Sequence, residues 1–438
     1  MAFRVGLCTL GCKVAQYETE AIEEAFAARG FQVCSFDSLC DVYVVNTCTV
    51  TAESDRKCRQ MLRRAIKRSP GAIVMAVGCY GQTTPQEIAG IPGVSFVGGT
   101  QGKMELPGIA LALLADPPAQ PVVSVTPLEG AAFERMCIHK APRTRAYVKI
   151  EDGCECFCSY CAIPGARGPV RSKAPEDILE EIEGLARGGT CEVVLTGIEI
   201  ASYGRDLGDI GLIDLLEMLE EKSSISRIRL GSLTPEYMRP SVIERMAHLR
   251  KLVPHFHLSM QSGADAVLRG MRRRYNAQMA ISALEGVRAA MPEAQFTTDM
   301  MVGFPGETEE DFAETLAFSR RASFLDMHVF AYSQRARTEA ALRSDQVPEA
   351  VKKDRSLRLI ALAEEMRLAH FARAVEEGKP LRVLLETREG DFFLGHSDAF
   401  FPLRVKTEED LHGRLLWARP TGFDKEGLFG ELVPSSEM

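Results

Sequence analysis

The chain reads as an α/β protein in three parts: an N-terminal parallel-sheet domain, a central partial barrel of six β/α units, and a small all-β barrel at the C-terminus. Three observations predict this. Short apolar runs alternate with helical patterns through the first ~110 residues and again from Ala146. A proline-bearing stretch without sustained period, 116–142, separates the two alternations. After Gly378-Lys379-Pro380 the pattern changes to short strands divided by turns.

In the first part, residues 3–9 have strand character and 16–29 helical character, ending at Gly30. A second strand at 41–46, a helix at 53–68 stopped by Ser69-Pro70, and a third strand at 72–77 complete a βαβαβ order. Pro117, Pro118, Pro121, Pro127 and Pro142 make the next stretch a linker or strapping segment. Strands are then expected at 146–151, 192–196, 226–230, 255–260, 295–302 and 327–332. Between them lie helical patterns at 175–185, 212–221, 242–249, 278–290 and 308–320. The chemistry of such a barrel is expected at the carboxyl ends of its strands. A charged helical stretch, 349–377, leads to five short strands at 381–386, 391–395, 401–405, 414–418 and 428–432. The domains are accordingly 1–115, a linker at 116–142, 143–377 and 378–438.

The length of 438 residues agrees with three domains at roughly 150 residues each. Apolar runs such as 108–115 fall far short of the ~18 residues needed to cross a bilayer. The first residues lack the features of a secretion signal, so the expectation is a cytoplasmic protein with no membrane partner. With a net charge of -8, nucleic-acid binding requires a local basic surface. Thirteen cysteines in such a chain point to metal or redox chemistry rather than a disulfide framework.

The run Gly153-Cys154-Glu155-Cys156-Phe157-Cys158-Ser159-Tyr160-Cys161 directly follows the first strand of the central part. Cys154, Cys158 and Cys161 form a C-x3-C-x2-C arrangement on one short loop. A [4Fe–4S] cube normally takes four thiolates, so three leave one iron open to a small molecule, as catalytic zinc keeps a free position. Buried thiols or a zinc knuckle are the alternatives. Zinc requires a fourth ligand, for which His139 and Cys156 are the available donors.

Cys12, Cys48 and Cys79 each follow one of the N-terminal strands, in Gly11-Cys12-Lys13, Thr47-Cys48-Thr49 and Gly78-Cys79-Tyr80. Parallel strands end along one edge of a sheet, where such folds bind ligands. Three thiols distant in sequence therefore converge, and a second cluster with an open iron is the expected occupant. Coincidence among buried cysteines is the alternative. Cys8 is the rival ligand, while Cys34, Cys40, Cys58, Cys137 and Cys191 show no partner spacing.

The C-x3-C-x2-C loop after a barrel strand resembles the radical S-adenosylmethionine superfamily. With both cysteine sets, the chain resembles the methylthiotransferase family of those enzymes over nearly its whole length. The resemblance implies a radical-type partial (β/α)6 barrel, a TRAM-like C-terminal barrel, two [4Fe–4S] clusters and S-adenosylmethionine. The run Thr9-Leu10-Gly11-Cys12-Lys13-Val14-Ala15-Gln16-Tyr17-Glu18-Thr19-Glu20 is most similar to the branch that modifies N6-threonylcarbamoyladenosine beside the tRNA anticodon, with 46–51 in support. His257-Leu258-Ser259-Met260-Gln261-Ser262-Gly263, Met271-Arg272-Arg273-Arg274-Tyr275 and the segment from Thr298 to Thr308 also fit. They imply Tyr160, Gln261 and Arg273 as contacts of S-adenosylmethionine, with packing or surface roles as the alternative. Gly303 and Gly306 would let the backbone approach its nucleoside part, or make an ordinary strand-to-helix turn. Cys156 stands where a polar residue is common and reads as a bystander. Ala15, Glu155, Glu199 and Tyr332-Ser333-Gln334-Arg335-Ala336-Arg337-Thr338 depart from the family pattern on the substrate side.

The implied reaction adds a methylthio group to C2 of the adenine. The Cys154/Cys158/Cys161 cluster generates a radical from S-adenosylmethionine, and the Cys12/Cys48/Cys79 cluster delivers sulfur. A second S-adenosylmethionine supplies the methyl group. No catalytic side chain is assigned beyond these, and tRNA and a flavodoxin- or ferredoxin-type electron donor are the implied partners, with the sulfur donor unassigned. Two RNA surfaces are candidates. Arg56, Lys57, Arg59, Arg63, Arg64, Lys67 and Arg68 form a basic helix able to bind phosphates by counterion release, or a solvated face. Phe392, Phe393 and Phe400 among Arg404 and Lys406 are stacking aromatics or barrel core. Competing functions are the branches acting on isopentenyladenosine in tRNA or on a ribosomal protein, the latter disfavoured by the run from Lys13 to Glu20. A competitor of another class is a non-catalytic iron–sulfur or zinc RNA-binding protein.

Overall fold

The computed structural model describes residues 2–434; the outermost residues of the expected first and last domains, 1 and 435–438, lie outside it. Six parallel strands form the N-terminal sheet: β1 (Arg4–Thr9), β2 (Gln32–Cys34), β3 (Val42–Thr47), β4 (Ile73–Gly78), β5 (Phe96–Gly98) and β6 (Val122–Ser124). Their order is β2-β1-β3-β4-β5-β6. Every residue of β3 and β4 is buried, because helices cover both faces of the sheet. Val42, Val44 and Met75 pack with Ile22 and Phe26 of helix Lys13–Ala28. Tyr43, Val45 and Val74 meet Leu62 and Ala65 of helix Ala52–Arg68 on the other side. The sheet has three strands more than the sequence suggested. β2, β5 and β6 are three residues each, too short to show a period. The last of them lies inside the 116–142 stretch and pairs with β5, so that segment straps the sheet as well as connecting.

The central part comprises β7 (Arg145–Lys149), β8 (Glu151–Asp152), β9 (Arg171–Ser172), β10 (Glu192–Thr196), β11 (Arg227–Leu230), β12 (Ser232–Leu233), β13 (His255–Gln261), β14 (Gln295–Val302) and β15 (Asp326–Ala331). Two parallel sheets, β11-β10-β7 and β12-β13-β14-β15, make the partial barrel, which the chain joins by running from β11 through Gly231 into β12. The antiparallel pair β8 and β9 holds both ends of the C-x3-C-x2-C loop. Tyr17 and Ala21 of the N-terminal helix belong to the barrel's hydrophobic core. The Tyr17 hydroxyl donates to the Met136 carbonyl at 2.8 Å and to Glu181 at 3.0 Å. The first two parts of the chain therefore share a core.

Helix Glu349–Glu377 gives Leu359, Leu362 and Met366 to that core and Phe371 to the next. β16 (Leu381–Glu389), β17 (Phe392–Ser397), β18 (Pro402–Lys406), β19 (Leu415–Phe423) and β20 (Leu428–Leu432) then close into a barrel in the order β16-β17-β18-β20-β19. Buried Glu192 pairs with Arg227 at 2.6 Å and Arg229 at 2.9 Å. Both arginines donate to the Ser397 carbonyl at 3.2 Å and so dock this barrel on the central one. Among the described residues no helix is long and apolar enough to cross a membrane.

Burial alone would raise the Glu192 carboxyl, but Arg229 and Arg227 overcome it and hold it at about 2. A depressed carboxylate contributes stability that is complete above the unfolded value of about 4.3 and lost as pH falls toward the folded one, roughly 3 kcal/mol here. Glu192→Gln should be less stable than wild type at pH 7. In denaturant titrations the gap should narrow as the pH is lowered from about 4.5 toward 2; a gap independent of pH would contradict this account.

Candidate functional site

Register brings the N-terminal cysteines to one edge. Thr9 pairs with Asn46, and Asn46 with Val77, across β1, β3 and β4. Cys12, Cys48 and Cys79 follow these three residues by two or three positions. Adjacent strands lie about 4.8 Å apart, so the three loops fall within about 10 Å. Hydrogen bonds knit them together: Leu10 N–H to the Asn46 carbonyl at 2.9 Å, and Thr47 Oγ1 to the Val77 carbonyl at 2.6 Å. Asn46 Nδ2 donates to the Ala15 carbonyl at 2.8 Å, fixing the first turn of the helix that Cys12 precedes. At Gly11 an added methyl carbon would lie 3.2 Å from Cys48 Sγ, so the bare backbone leaves that sulfur its space. Cys48 and Cys79 are buried and Cys12 is exposed. Burial pushes the Cys48 thiol up to about 11, with neighbouring Cys79 and Cys12 adding to the rise. Thiols crowded in this way ionise readily only when a metal replaces their protons.

The second set lies on the loop between β8 and β9. The Cys154 N–H donates to the Gly168 carbonyl and the Cys161 N–H to the Cys158 carbonyl, both at 3.0 Å. Ser159 anchors the loop from inside, its Oγ donating to the Gly270 carbonyl at 2.7 Å. Arg273 reaches Cys158 Sγ at 3.6 Å and donates to the Ser259 carbonyl at 2.8 Å. Cys156 donates its N–H to Cys154 Sγ at 3.5 Å. A separate thiol–thiol contact with Cys154 is the largest influence lowering the Cys156 thiol to about 6, and it drives Cys154 upward, whereas the N–H bond lowers Cys154. His139, the imidazole considered for a zinc site, is exposed and pairs with Glu24 at 2.8 Å. Among the described residues no three His, Cys, Asp or Glu side chains are disposed to share one ion. A cube makes a different demand, since its thiolates are borne by separate irons.

Between the two sets lies a knot of buried charge. Glu18 pairs with Lys103, with Lys149 at 2.8 Å and with Arg167 at 2.5 Å. Asp152 pairs with Lys149 at 2.7 Å, Arg167 at 3.2 Å and Arg171 at 3.5 Å. Burial alone would raise the Glu18 carboxyl; Arg167, Lys103 and Lys149 hold it well below the usual range. Four cations thus face two acids, and Arg171 Nε and Nη1 are buried without a partner. Arg167 Nε donates to Cys79 Sγ at 3.1 Å. Surplus buried positive charge beside a thiol fits an anionic iron–sulfur cluster on the Cys12, Cys48 and Cys79 edge.

The four expected cofactor contacts are placed unequally. Gln261 ends β13 at φ +65°, buried, with Oε1 lacking any partner. Tyr160 is inside the cysteine loop, edge-on to Phe304 at 6.5 Å, and Arg273 touches Cys158. Gly303 has φ +71°, but an added side chain would overlap the stem of Lys352, so its bareness makes room for the chain itself. Gly306 likewise faces Arg343 and Asp345. A cavity of about 610 Å³ opens beside the loop, lined by Cys156, Glu199, Thr234, Glu236 and Arg274 among others. Glu199 is pushed up to about 8, chiefly by burial, and its Oε1 has no partner. The 332–338 segment docks on the N-terminal edge: Arg335 pairs with Asp55 and donates to Thr49, both at 2.7 Å, and Arg337 donates to the Thr83 carbonyl at 3.1 Å.

The RNA candidates are thinned. On the basic helix, Arg56 pairs with Glu53, Arg59 with Glu87, and Arg64 and Arg68 with Asp37. Lys57, Arg63 and Lys67 are exposed. On the C-terminal barrel, Phe393 is core. Phe400 is sandwiched between His255 and His396, at 4.4 and 4.7 Å. Both therefore take the packing alternative of the sequence reading; Phe392 packs on Phe429 at 6.2 Å. Sequence spacing also missed Cys58, whose buried sulfur accepts the Cys48 N–H at 3.4 Å. Cys8, the suspected rival, has Arg64 and Asp37 as its charged neighbours.

Residues 148–319 match the radical SAM superfamily and residues 4–99 the uncharacterized protein family UPF0004. The chain is 40% identical to the threonylcarbamoyladenosine tRNA methylthiotransferase MtaB of Bacillus subtilis, over 94% of this chain and 92% of that one. It is 37% identical to the MtaB protein of Aquifex aeolicus, over 87% and 92% of the two chains. Identity is 34% to the tRNA-2-methylthio-N(6)-dimethylallyladenosine synthase of Carboxydothermus hydrogenoformans, over 87% of each chain. Among solved structures, the radical S-adenosylmethionine methyltransferase TsrM from Kitasatospora setae, with cobalamin and a [4Fe-4S] cluster bound, superposes with a TM-score of 0.57. It covers 78% of this chain and 77% of that one at 16% identity, a likeness of fold.

Gly153 offers a direct check on the cysteine loop. It sits at φ +94°, and a methyl there would overlap the Pro169 carbonyl oxygen. Gly153→Ala should stay folded by circular dichroism yet bind about half the iron of wild type after anaerobic reconstitution, because one of two loops is displaced. Full iron content would show that the loop does not hold a cluster in this geometry.

Proposed function

The chain belongs to the methylthiotransferase family of radical S-adenosylmethionine enzymes, and on that premise we propose that it adds a methylthio group to C2 of N6-threonylcarbamoyladenosine beside the tRNA anticodon. The observation that carries the reading is the pair of three-cysteine sets, one at a sheet edge and one on a barrel loop, joined through Arg167. Identity of 40% and 37% to two threonylcarbamoyladenosine enzymes, against 34% to the dimethylallyladenosine synthase of Carboxydothermus hydrogenoformans, favours this substrate.

In this reading Cys154, Cys158 and Cys161 hold one [4Fe–4S] cube, and Cys12, Cys48 and Cys79 hold the other. When bound, the two clusters and S-adenosylmethionine supply the radical, the sulfur and the methyl group. The protein's own residues position and enclose. Gln261, with its free buried Oε1, Tyr160 and Arg273 line the side of the cysteine loop where S-adenosylmethionine would sit. Gly303 turns the chain against the Lys352 stem just before Phe304, which meets Tyr160 edge-on. Arg335 and Arg337 clamp the 332–338 segment across the Cys48 and Cys79 loops and narrow access between the two sets. The domains take the limits 1–115, 143–377 and 378–438, with 116–142 as strap and linker. A tRNA substrate fits a cytoplasmic protein, and a flavodoxin- or ferredoxin-type protein would deliver electrons.

Nucleoside mass spectrometry of tRNA from a deletion strain tests substrate and reaction together. The 2-methylthio form of N6-threonylcarbamoyladenosine should vanish while its unmodified parent accumulates; loss from the dimethylallyl nucleoside instead would move the chain to the other tRNA branch. Cys12, Cys48 and Cys79 replaced together by Ala should leave S-adenosylmethionine cleavage to 5′-deoxyadenosine intact and abolish methylthio product, and wild-type product yield would refute the division of labour.

For RNA contact, the exposed cations matter most. Replacing Lys57, Arg63 and Lys67 by Ala should reduce the slope of log affinity against log salt by about 2 to 3. Arg64→Ala, already neutralised by Asp37, should change it less. Equal slopes in all variants would remove this helix from the interface.

A further inference from the structure

Arg167 closes helix Ile163–Arg167, which begins two residues after Cys161, yet its guanidinium ends against Cys79 in the N-terminal domain. It is fully buried. Its fork is divided: Nη1 and Nη2 are taken by Glu18 at 2.5 and 3.2 Å, Nη1 also by Asp152 at 3.2 Å, and Nε is left for the sulfur at 3.1 Å. Guanidinium keeps its proton throughout the accessible pH range, so this is a fixed charge. Lys103, Lys149 and Arg171 leave the neighbourhood in positive surplus. The next carboxylate, Glu134, accepts the Met104 N–H at 3.0 Å and also feels Lys103 and Lys149, so four cations face three acids and the surplus remains positive.

We propose that Arg167 is a positioning residue that raises the reduction potential of the cluster on Cys12, Cys48 and Cys79, which rests on the two-cluster reading above. Reduction adds one electron and so one negative charge to a cube. A cation and an N–H donor on a ligating sulfur stabilise the reduced state more than the oxidised one, and hydrogen bonds to sulfur and net charge are among the factors that set such potentials. Burial leaves the interaction weakly screened. Glu18 opposes it from the far side of the same guanidinium, so the acid and the base tune in opposite directions. Because Arg167 hangs from the loop of the other cysteine set, it also ties the position of Cys79 to that of Cys161. Lysine offers one ammonium where the site uses a three-nitrogen fork, and cannot hold the sulfur and both acids in one plane.

The test uses the full-length chain with Cys154, Cys158 and Cys161 replaced by Ala, reconstituted anaerobically so that only the N-terminal cube forms. Its midpoint potential is read by electron paramagnetic resonance in dithionite titrations. Arg167→Gln should move the midpoint to more negative values at unchanged iron content, and Arg167→Lys should fall between it and the parent. Glu18→Gln should move the midpoint the opposite way, and it carries the test alone if Arg167→Gln binds no cluster. A midpoint that stays at the parent's value in these variants, or that moves the same way for Arg167→Gln and Glu18→Gln, overturns the inference. A parent that binds no cube would instead overturn the two-cluster reading.

Discussion

Two carboxylates buried between the first and second parts of the chain, Glu18 and Asp152, face four cations drawn from both parts. Taking such groups out of water costs several kcal/mol each, and removing either acid leaves several cations stranded. The knot is therefore satisfied only when the N-terminal sheet and the barrel are docked in one relative position. That position is the one in which helix Lys13–Ala28 lends Tyr17 to the barrel core and Arg167 reaches Cys79. Electrostatics fixes how the two cysteine sets lie relative to each other, and packing follows it.

Each set has its own local logic. The N-terminal one is a product of parallel register: strands that begin at different places in the sequence end on one line, and the residues just beyond become neighbours. The loop between β8 and β9 instead carries its three cysteines within eight residues and is pinned at both ends, by the short antiparallel pair and by Ser159 on Gly270. The first needs the whole domain to exist and the second only a hairpin.

Much of this was legible in the sequence. The strands of the partial barrel were visible because β/α alternation repeats the same period at full length, and the five of the C-terminal barrel because turns bracket each one. The placement of Cys12, Cys48 and Cys79 beyond three strand ends, and of Cys154, Cys158 and Cys161 on one loop after a strand, was legible from spacing. What spacing could not show was contact across the fold. Cys58 lies inside helix Ala52–Arg68, ten residues on from Cys48, and returns to it through the fold of that helix onto the sheet. Glu18 and Arg167 are 149 residues apart and read alone as one helix acid and one loop base. Phe400 read as a stacking aromatic or core because nothing local marks its place between His255 and His396. Gly303 was expected to admit a ligand, and its neighbour is a lysine stem from a helix some fifty residues on.

The helix Ala52–Arg68 joins these themes. Thr51 caps it three residues after Cys48, its side chain accepting the Ser54 N–H at 3.1 Å. Asp55 in its first turn ties it to Arg335 and hence to the barrel. Its exposed cations, Lys57, Arg63 and Lys67, follow at roughly 8 to 24 Å along the axis, at about 1.5 Å per residue. Phosphates held by those side chains would stand at fixed distances from the cysteine edge, since one rigid element carries both. Sequence-specific RNA recognition works on splayed bases in single-stranded loops, with the backbone gripped beside them. In the proposed reading, a helix that starts beside the Cys48 loop and runs outward with Lys57, Arg63 and Lys67 would provide that grip, even though the protein as a whole is acidic.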